Sequence, residues 1–176
     1  MLYITVVLYN KKVGDIGSKD GIGELIRKHG PENVRIIIID NSDNERYKLT
    51  DEERDLFVST NGISYIKNDS NVGLARAYNI ALEHALHMDT DPDTSFMMFL
   101  DDDTVLSYSY ISGIYHEAKK AGRSTDGVNV ITGIIESGGK PMSPVNKFRF
   151  IFRDKDYITV PGTYDDIACI SSGMAV

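Results

Sequence analysis

Short apolar runs alternate with amphipathic segments between Leu2 and Ala121. The segments between the runs have the 3.6-residue spacing of helices. Strands that alternate with helices in this way favour a mostly parallel central sheet flanked by helices. Four runs, rich in β-branched or bulky apolar residues, have the length of strands: Leu2 to Leu8, Val34 to Ile39, Ile63 to Ile66 and Phe96 to Leu100.

Local signals mark where the helices begin and end. Gly30-Pro31 ends a helix over Gly21 to His29, and Thr50 with Glu53 forms a capping box for a second helix. A third helix is predicted from Val72 to Met88, with Arg76 and Asn79 on its polar face. Its core-facing stripe is predicted to comprise Leu74, Tyr78, Ala81, Leu82, Ala85 and Leu86.

The pattern changes after Gly122, where shorter runs are separated by Gly, Pro and Asp. We expect a smaller added sheet region there, without a second helical layer, and one domain over residues 1–176. Because the chain ends on an apolar run, we also expect it to be the N-terminal fragment of a longer protein. The late runs are Val128 to Ile135, Lys147 to Phe152, Tyr157 to Val160 and Ile167 to Val176.

Composition narrows the function. The 176 residues, 41% of them apolar, suffice for one domain with a real core. A net charge of -7 argues against nonspecific binding to nucleic acid or anionic membranes, so any phosphate must be held locally or through a metal. The single cysteine, Cys169, cannot form an internal disulfide and favours the cytoplasm. The Leu2 to Leu8 run is too short for a membrane helix.

Three consecutive carboxylates, Asp101, Asp102 and Asp103, directly follow the fourth apolar run. In extended chain Asp101 and Asp103 point the same way, about 6 to 7 Å apart. Like charges about 4 Å apart repel by roughly 4 kcal/mol at an effective dielectric near 20, and a divalent cation would relieve this repulsion. Hard oxygen ligands suit Mn²⁺ or Mg²⁺. The alternative is a helix start, with Ser107 capping a helix over Tyr108 to Ala121.

The earlier strands also end in polar residues, which is where open α/β sheets bind ligands. Tyr9-Asn10 follows the first strand and Asp40 ends the second. The Asp40 carboxylate can accept hydrogen bonds from a base or a ribose, or it can form an Asx turn. In Asn71 to Asn79, Gly73 opens a helix whose free N–H groups can face an anion. Arg76 can reach a phosphate there or lie in solvent.

Together these motifs resemble the family 2 glycosyltransferases of the GT-A fold, in particular their rhamnosyltransferase-like branch. The resemblance runs from Ile4 to Met174. It rests on the order of five landmarks: Val6-Val7-Leu8-Tyr9-Asn10, Ile39-Asp40-Asn41-Ser42, Asn71-Val72-Gly73-Leu74-Ala75-Arg76-Ala77-Tyr78-Asn79, Leu100-Asp101-Asp102-Asp103-Thr104 and Ile170-Ser171-Ser172-Gly173.

The resemblance implies a role for each landmark. Asp40 would contact the nucleobase, Arg76 would lie near the diphosphate, and Asp101 and Asp103 would hold the ribose and the divalent cation, with Asp103 as the likelier direct ligand of the metal. The donor nucleotide would be bound by Tyr9, Asn10, Asp40, Asn71, Gly73, Arg76, Asn79, Asp101 and Asp102.

The implied reaction moves a sugar from a UDP-sugar or dTDP-sugar to a hydroxyl of a glycan or lipid-linked glycan in bacterial polysaccharide synthesis. It would invert the anomeric carbon and need Mn²⁺ or Mg²⁺. In this family the general base follows the Ser-Gly strand, so we expect it beyond Val176, because Asp165-Asp166 precedes Ser171. The chain alone would then bind a donor and transfer poorly. We expect it in the cytoplasm, or at the inner face of the plasma membrane through segments absent here.

Other classes of protein share single features with this chain. Asp101, Asp103 and Val105 match the nucleophile motif of haloacid-dehalogenase-like phosphatases, although that motif normally follows the first strand. Asp40 would suit a dinucleotide-binding oxidoreductase, but the first strand lacks a Gly-x-Gly-x-x-Gly turn. Asp89 to Asp93 resembles the start of a calcium loop that lacks its glycine. A noncatalytic nucleotide-sugar-binding module is the remaining alternative.

Overall fold

The computed structural model describes residues 1–59, 62–122, 128–146, 157–165, 167–170 and 172–176. It has the α/β architecture that the sequence predicts, a parallel central sheet with helices on both faces and small antiparallel sheets toward the C-terminus. The strand predicted over Lys147 to Phe152 lies outside the described residues, as do Asp166 and Ser171.

The central sheet has four parallel strands in the order β3-β2-β1-β4. The chain builds outward from β1 to β3 and then returns to place β4 on the other side of β1. This change of direction between β1 and β4 is the position where open α/β sheets form a ligand crevice. The strands are β1 (Leu2–Leu8), β2 (Val34–Asp40), β3 (Ile63–Lys67) and β4 (Phe96–Asp101).

Four helices connect and cover these strands, close to the predicted positions. Both predicted caps are present: Thr50 and Glu53 form a capping box, and the Ser107 hydroxyl accepts the Tyr110 N–H at 3.3 Å. No described helix combines the length and the apolar character that a bilayer crossing requires. The helices are α1 (Lys19–His29), α2 (Asp51–Val58), α3 (Leu74–Met88) and α4 (Tyr108–Ala121).

The central strands are buried on both faces, which explains why β1 and β2 are apolar without alternation. Along β1, Ile4 and Val6 belong to the core that includes α1 and α4, whereas Tyr3 and Val7 belong to the core that includes α3. The two cores therefore lie on opposite faces of one sheet, and the strand ends remain free for a site.

The buried stripe of α3 differs from the prediction. Ala77, Ala81 and Ala85 are buried against the sheet, while Leu74, Leu82 and Leu86 are exposed. Small side chains at this i, i+4 spacing let the helix axis approach the strands closely, and the leucines then fall on its outer sides. Of the predicted stripe, Ala81 and Ala85 are buried, and Tyr78 packs against the same core.

The region after Gly122 contains short antiparallel strands, as expected. Within Val128 to Ile135, however, only Ile131 forms a bridge before β5 begins. Tyr157 likewise makes a single bridge to Val145. The strands are β5 (Ile135–Ser137) with β6 (Lys140–Ser143), and β7 (Val145–Asn146) with β8 (Ile167–Ala168).

The last residues pair with β4 in the antiparallel direction. The Met97 N–H donates to the Val176 carbonyl at 2.7 Å, and the Phe99 N–H donates to the Met174 carbonyl at 3.0 Å. Ala175 also exchanges backbone hydrogen bonds with Ile131. This pairing covers the outer edge of β4 and brings Ser172 and Gly173 to the end of that strand.

Candidate functional site

The carboxyl ends of the parallel strands form one edge, and most of the predicted site residues meet there. The strand register aligns Leu8 with Asp40, Asp40 with Lys67, and Val7 with Asp101. Hydrogen bonds then connect the loops that follow the strands. The site is therefore assembled from segments that are far apart in sequence.

The first of the three aspartates, Asp101, ends β4 and is held by neighbours from two other segments. Its N–H donates to the Ser172 hydroxyl at 3.2 Å, and its carboxylate accepts the Tyr78 hydroxyl at 3.3 Å. Its carbonyl accepts the Thr104 N–H at 3.2 Å, and the Thr104 and Ser172 hydroxyls share a hydrogen bond of 2.6 Å. The turn after β4 is thus tied both to α3 and to the C-terminal segment.

The second aspartate, Asp102, faces the loop after β1. One of its carboxylate oxygens accepts the Tyr9 N–H at 3.0 Å, and the other pairs with the Lys11 ammonium at 3.3 Å. Its main-chain carbonyl accepts from Lys11 at 3.0 Å and from the Gly17 N–H at 2.9 Å. Both oxygens of this carboxylate are therefore engaged within the protein.

The third aspartate, Asp103, is exposed, and within the described residues its side chain makes no hydrogen bond or ion pair. Asp101 and Asp103 thus offer hard oxygen donors of the kind that Mg²⁺ and Mn²⁺ prefer. Across the described ranges, no group of three or more His, Cys, Asp or Glu residues is arranged to hold a metal ion. Two carboxylates suit a cation whose remaining ligands are phosphate oxygens and water, which is how Mg²⁺ commonly binds.

Asp40 lies inside the protein rather than on the open edge. It is fully buried, and its two oxygens accept the Tyr65 hydroxyl and, at 3.0 Å, the Ser42 N–H. The second of these contacts is the Asx turn that the sequence offered as the alternative role. Because Asp40 is fully buried, a base can contact this carboxylate only if neighbouring groups move, and the Tyr65 hydroxyl is the side-chain donor already bound to it.

Amide side chains join the loop after β2 to the loop before α3. The buried Asn41 donates to the Asn71 side chain at 2.8 Å and accepts the Val72 N–H at 2.9 Å. Asn71 in turn accepts the Gly73 N–H at 2.9 Å. Asp43 accepts both the Tyr9 hydroxyl at 2.9 Å and the Asn71 N–H at 3.1 Å, so all three loops are linked.

Helix α3 begins at this edge without a side-chain cap. Its N-cap residue, Gly73, has φ +82°, a conformation that favours glycine, and its N–H groups are left without a capping acceptor. Arg76 and Asn79 are exposed on its first turns, and neither forms a hydrogen bond or ion pair with the residues that the structure describes. A free helix N-terminus beside an arginine is suited to an anion.

A buried lysine stabilises the base of the same loops. The Lys48 side chain is 1% exposed, and its ammonium donates to Glu45 and to the Asn68 carbonyl, each at 2.9 Å. Lys67 donates to the other oxygen of Glu45 at 2.8 Å. Hydrogen bonds from Lys67 and Lys48 lower the pKa of Glu45, which keeps this carboxylate ionised.

The structure thus links Tyr9, Asn71, Gly73 and Asp102 through hydrogen bonds, and Asp101, next to Asp102 in sequence, is held by Ser172 and Tyr78. Asn10 joins them because its N–H donates to the Ser42 hydroxyl at 2.9 Å, and its φ of +51° turns the chain after β1. Ser172 lies in the landmark Ile170 to Gly173 but was given no role from sequence, and two contributors, Lys11 and Gly17, were missed altogether. Their partners lie far along the chain, and only the adjacency of Lys11 to Asn10 gave any signal.

A family model settles the classification of the chain. The model of glycosyl transferase family 2 matches residues 6–175, which is nearly the whole chain. The chain belongs to glycosyl transferase family 2. The central sheet and its strand-end site agree with the GT-A fold expected for this family, and the phosphatase alternative receives no support. No curated protein matches the chain in sequence.

Several solved structures are similar to this family 2 domain. A mannosyltransferase from Pyrobaculum calidifontis in complex with GDP-Man and Mn²⁺ has 16% identity and a TM-score of 0.48, over 74% of this chain and 34% of that one. GalNAc-T7 with UDP, GalNAc and Mn²⁺ has 15% identity and a TM-score of 0.49, over 68% and 21%. S. aureus TarS 1–349 has 14% identity and a TM-score of 0.44, over 65% and 33%.

These likenesses are distant, and the family assignment rests on the family model and on the fold. The matched region spans about a third of the length of the mannosyltransferase structure. The activity, donor and acceptor of this family 2 domain are therefore matters for proposal.

Proposed function

We propose that this family 2 domain takes part in transferring a sugar from a UDP-sugar or dTDP-sugar to a hydroxyl of a glycan or lipid-linked glycan. The observation that carries the proposal is the family match over residues 6–175. The hydrogen-bonded loops at the strand ends supply the polar groups that a nucleotide diphosphate needs. In this proposal the reaction inverts the anomeric carbon, and the chain belongs to the rhamnosyltransferase-like branch in bacterial polysaccharide synthesis.

The diphosphate is proposed to lie at the start of α3. The uncapped N–H groups after Gly73 and the guanidinium of Arg76, which has no partner among the described residues, both attract an anion, and Asn79 lies one turn further along the helix. A net charge of -7 makes such a local cluster of donors necessary, because the protein as a whole repels phosphates. Charge that develops on the departing diphosphate would be stabilised by these fixed donors.

Asp101 and Asp103 are proposed to hold Mn²⁺ or Mg²⁺ together with the diphosphate. Such a cation, when bound, acts as a Lewis acid on the leaving group. Asp103 is available because it has no partner among the described residues, and Asp101 is oriented by Tyr78. Asp102, whose oxygens are engaged by Tyr9 and Lys11, would border the nucleotide rather than bind the cation.

The base and ribose are proposed to lie over the ends of β1 and β2, between Tyr9-Asn10 and Asn71. The carboxylate of Asp40 would accept the N–H that uracil and thymine share, taking the place of the Tyr65 hydroxyl with the base. This exchange keeps the number of hydrogen bonds to Asp40 unchanged, so no oxygen of the buried carboxylate is left unpaired, while the Tyr65 hydroxyl gives up its acceptor. Guanine offers a different edge and is expected to bind less well.

We further propose that the reaction takes place in the cytoplasm, or at the inner face of the plasma membrane. The single Cys169 is a free thiol, which suits a reducing compartment. The residues described bind and orient the donor in this scheme. Their role is therefore tested directly by measuring nucleotide binding, without a transfer assay.

Calorimetric titration with UDP, dTDP and GDP, each with Mn²⁺ or with EDTA, tests the proposal. We expect the two pyrimidine diphosphates to bind in Mn²⁺, to bind more weakly in EDTA, and to bind better than GDP. A folded protein that binds none of the three would overturn the proposal. Labelling of Asp101 by beryllofluoride, with hydrolysis of a phosphate monoester, would replace it with the phosphatase alternative.

A further inference from the structure

Lys11 is the cation that pairs with the aspartate turn in the described residues, and its sequence context gives no signal beyond its place beside Asn10. Its ammonium donates to the Asp102 carbonyl at 3.0 Å and to the Asp102 carboxylate at 3.3 Å. Within the described ranges this is the one salt bridge made by Asp101, Asp102 or Asp103. Lys11 therefore supplies the compensating charge for this turn.

The contact also decides which aspartate is available. Lys11 and the Tyr9 N–H together engage both oxygens of Asp102, whose side chain is 19% exposed. The charges on Asp101 and Asp103 remain uncompensated by any ion pair in the described part of the chain. Lys11 thus orients Asp102 toward the loop after β1, while the Asp101 carboxylate accepts the Tyr78 hydroxyl and neither Asp101 nor Asp103 is paired with a cation in the described residues.

The ammonium retains binding capacity. A lysine has three N–H donors, and two of them go to Asp102. The Lys11 side chain is 28% exposed, so its third donor can reach a ligand at the edge of the sheet. A cation in this position opposes a second cation nearby and attracts an anion.

We propose that Lys11 is a positioning residue that makes metal binding depend on the nucleotide diphosphate. Without the diphosphate, its charge weakens the attraction of Asp101 and Asp103 for a divalent cation. With the diphosphate bound, the third donor of Lys11 faces phosphate oxygens. The negative charge of the phosphates then offsets the repulsion between Lys11 and the divalent cation. The inference rests on the function proposed above, because it requires that a diphosphate and a cation share this edge.

Calorimetric titration of Mn²⁺ with and without saturating UDP measures this dependence as the ratio of the two dissociation constants. For Lys11→Gln we expect Mn²⁺ alone to bind about fivefold more tightly, and the ratio to shrink by a similar factor. By linkage, the effect of Mn²⁺ on UDP affinity must shrink equally. Lys11→Arg, which keeps the charge, should restore most of the wild-type ratio.

Lys12→Gln is the matched control, because it removes the same charge from the exposed neighbouring residue and should leave the ratio unchanged. A merely structural lysine would lower the unfolding midpoint without changing the ratio. Lys11→Met, which keeps the aliphatic stem, replaces Lys11→Gln if the latter does not fold.

Two other outcomes are distinguishable. If wild-type protein binds UDP with Mn²⁺ and Lys11→Gln behaves like Lys12→Gln, the role of Lys11 is overturned and the proposed function stands. If the wild-type protein binds neither ligand, both proposals are overturned.

Discussion

The Tyr65 hydroxyl donates a hydrogen bond to the fully buried carboxylate of Asp40. The same hydroxyl accepts the Leu49 N–H at 3.1 Å, so it joins the end of β2 to the segment before α2. Burial, together with the hydrogen bond to Asp40, raises the pKa of Tyr65, so it remains a donor at neutral pH. This pair closes the site on the side of β3.

Tyr65→Phe separates the structural and ligand-binding consequences of this pair. The loss of the hydroxyl leaves a buried carboxylate oxygen and the Leu49 N–H without their partner, which should lower the free energy of unfolding by about 1–3 kcal/mol. In our proposal the base displaces this hydroxyl, so UDP affinity should not fall. Urea unfolding and calorimetry measure the two effects.

Tyr164→Phe is the control for Tyr65→Phe, because its hydroxyl contacts the Val160 carbonyl on an exposed loop. It should change the free energy of unfolding by no more than about 0.5 kcal/mol. Weakened UDP binding in a folded Tyr65→Phe protein would contradict the proposed displacement.

Gly17 is packed against the turn that carries the aspartates. A Cβ at this position would lie 2.6 Å from the Thr104 carbonyl oxygen and 3.0 Å from that of Asp103. Gly17→Ala should therefore shift the turn and weaken Mn²⁺-dependent UDP binding by about tenfold or more, while the protein stays folded.

Gly14→Ala provides the comparison for Gly17→Ala, because a Cβ at Gly14 would meet nothing within 4 Å. It should bind UDP like the wild type. Equal binding by both variants would show that the position of the turn does not matter for the ligand.

Tyr110 fastens the C-terminal segment to α4. Its hydroxyl donates to the Gly173 carbonyl at 2.9 Å and accepts the Gly133 N–H at 3.0 Å. Tyr110→Phe should lower the free energy of unfolding by about 1–3 kcal/mol, because both groups lose a partner at a poorly hydrated position. Hydrogen exchange should accelerate at the amides of Ile131 and Ala175, which pair with each other.

Tyr108→Phe is the control for Tyr110→Phe, because it makes the same substitution in the same helix. The centroid of the Tyr108 ring lies 4.0 Å from the ammonium of the exposed Lys28. We expect no change in exchange at Ile131 or Ala175. Acceleration in both variants would mean that α4 as a whole, rather than the Tyr110 hydroxyl, protects these amides.

The stability of the fold should decrease in mild acid. His29 and His84 each have a ring Nε2 that is buried and that finds no hydrogen-bond partner in the described part of the chain. Burial is the main cause that lowers the pKa of both rings, followed by the neighbouring charges of His116 for His29 and His87 for His84. Because the pKa of each ring is lower in the folded protein than in the unfolded chain, the unfolded chain binds the proton first as the pH falls.

The contribution of these two neutral rings to the free energy of unfolding is therefore present above about pH 6.5, the pKa of histidine in the unfolded chain. It is lost as the pH falls below that value toward the lower folded-state pKa. Urea midpoints at pH 7.5 and 5.5 measure the loss. His29→Gln and His84→Gln should each reduce the difference between the two midpoints, and the double variant should reduce it further. An unchanged difference in the double variant would assign the acid sensitivity to other groups.

Much of this fold is readable from local pattern. The four apolar runs correspond to the four parallel strands, and the Thr50 and Ser107 caps lie at the starts of α2 and α4. Such features depend on residues within a few positions of one another. The parallel direction of the four strands places their polar ends at one edge, which the sequence also predicts.

Side-chain size and long-range contacts were harder to predict. Leu82 has a stronger hydrophobic preference than Ala77, yet Ala77 is buried and Leu82 is exposed, because α3 packs on the sheet through its alanines. Lys11 contacts Asp102 across 91 positions, and Ser172 contacts Asp101 across 71. No local pattern encodes such distances, so the tie between the aspartate turn and the chain termini emerged only from the structure.

The central claim is that the aspartates after β4 hold a cation together with a pyrimidine diphosphate. UDP titration in Mn²⁺ of wild type, Asp103→Asn and the matched exposed variant Asp93→Asn, which lies before β4, tests it most directly. We predict that Asp103→Asn loses Mn²⁺-dependent binding and that Asp93→Asn retains it. Equal Mn²⁺-dependent binding of UDP by all three proteins would contradict the claim.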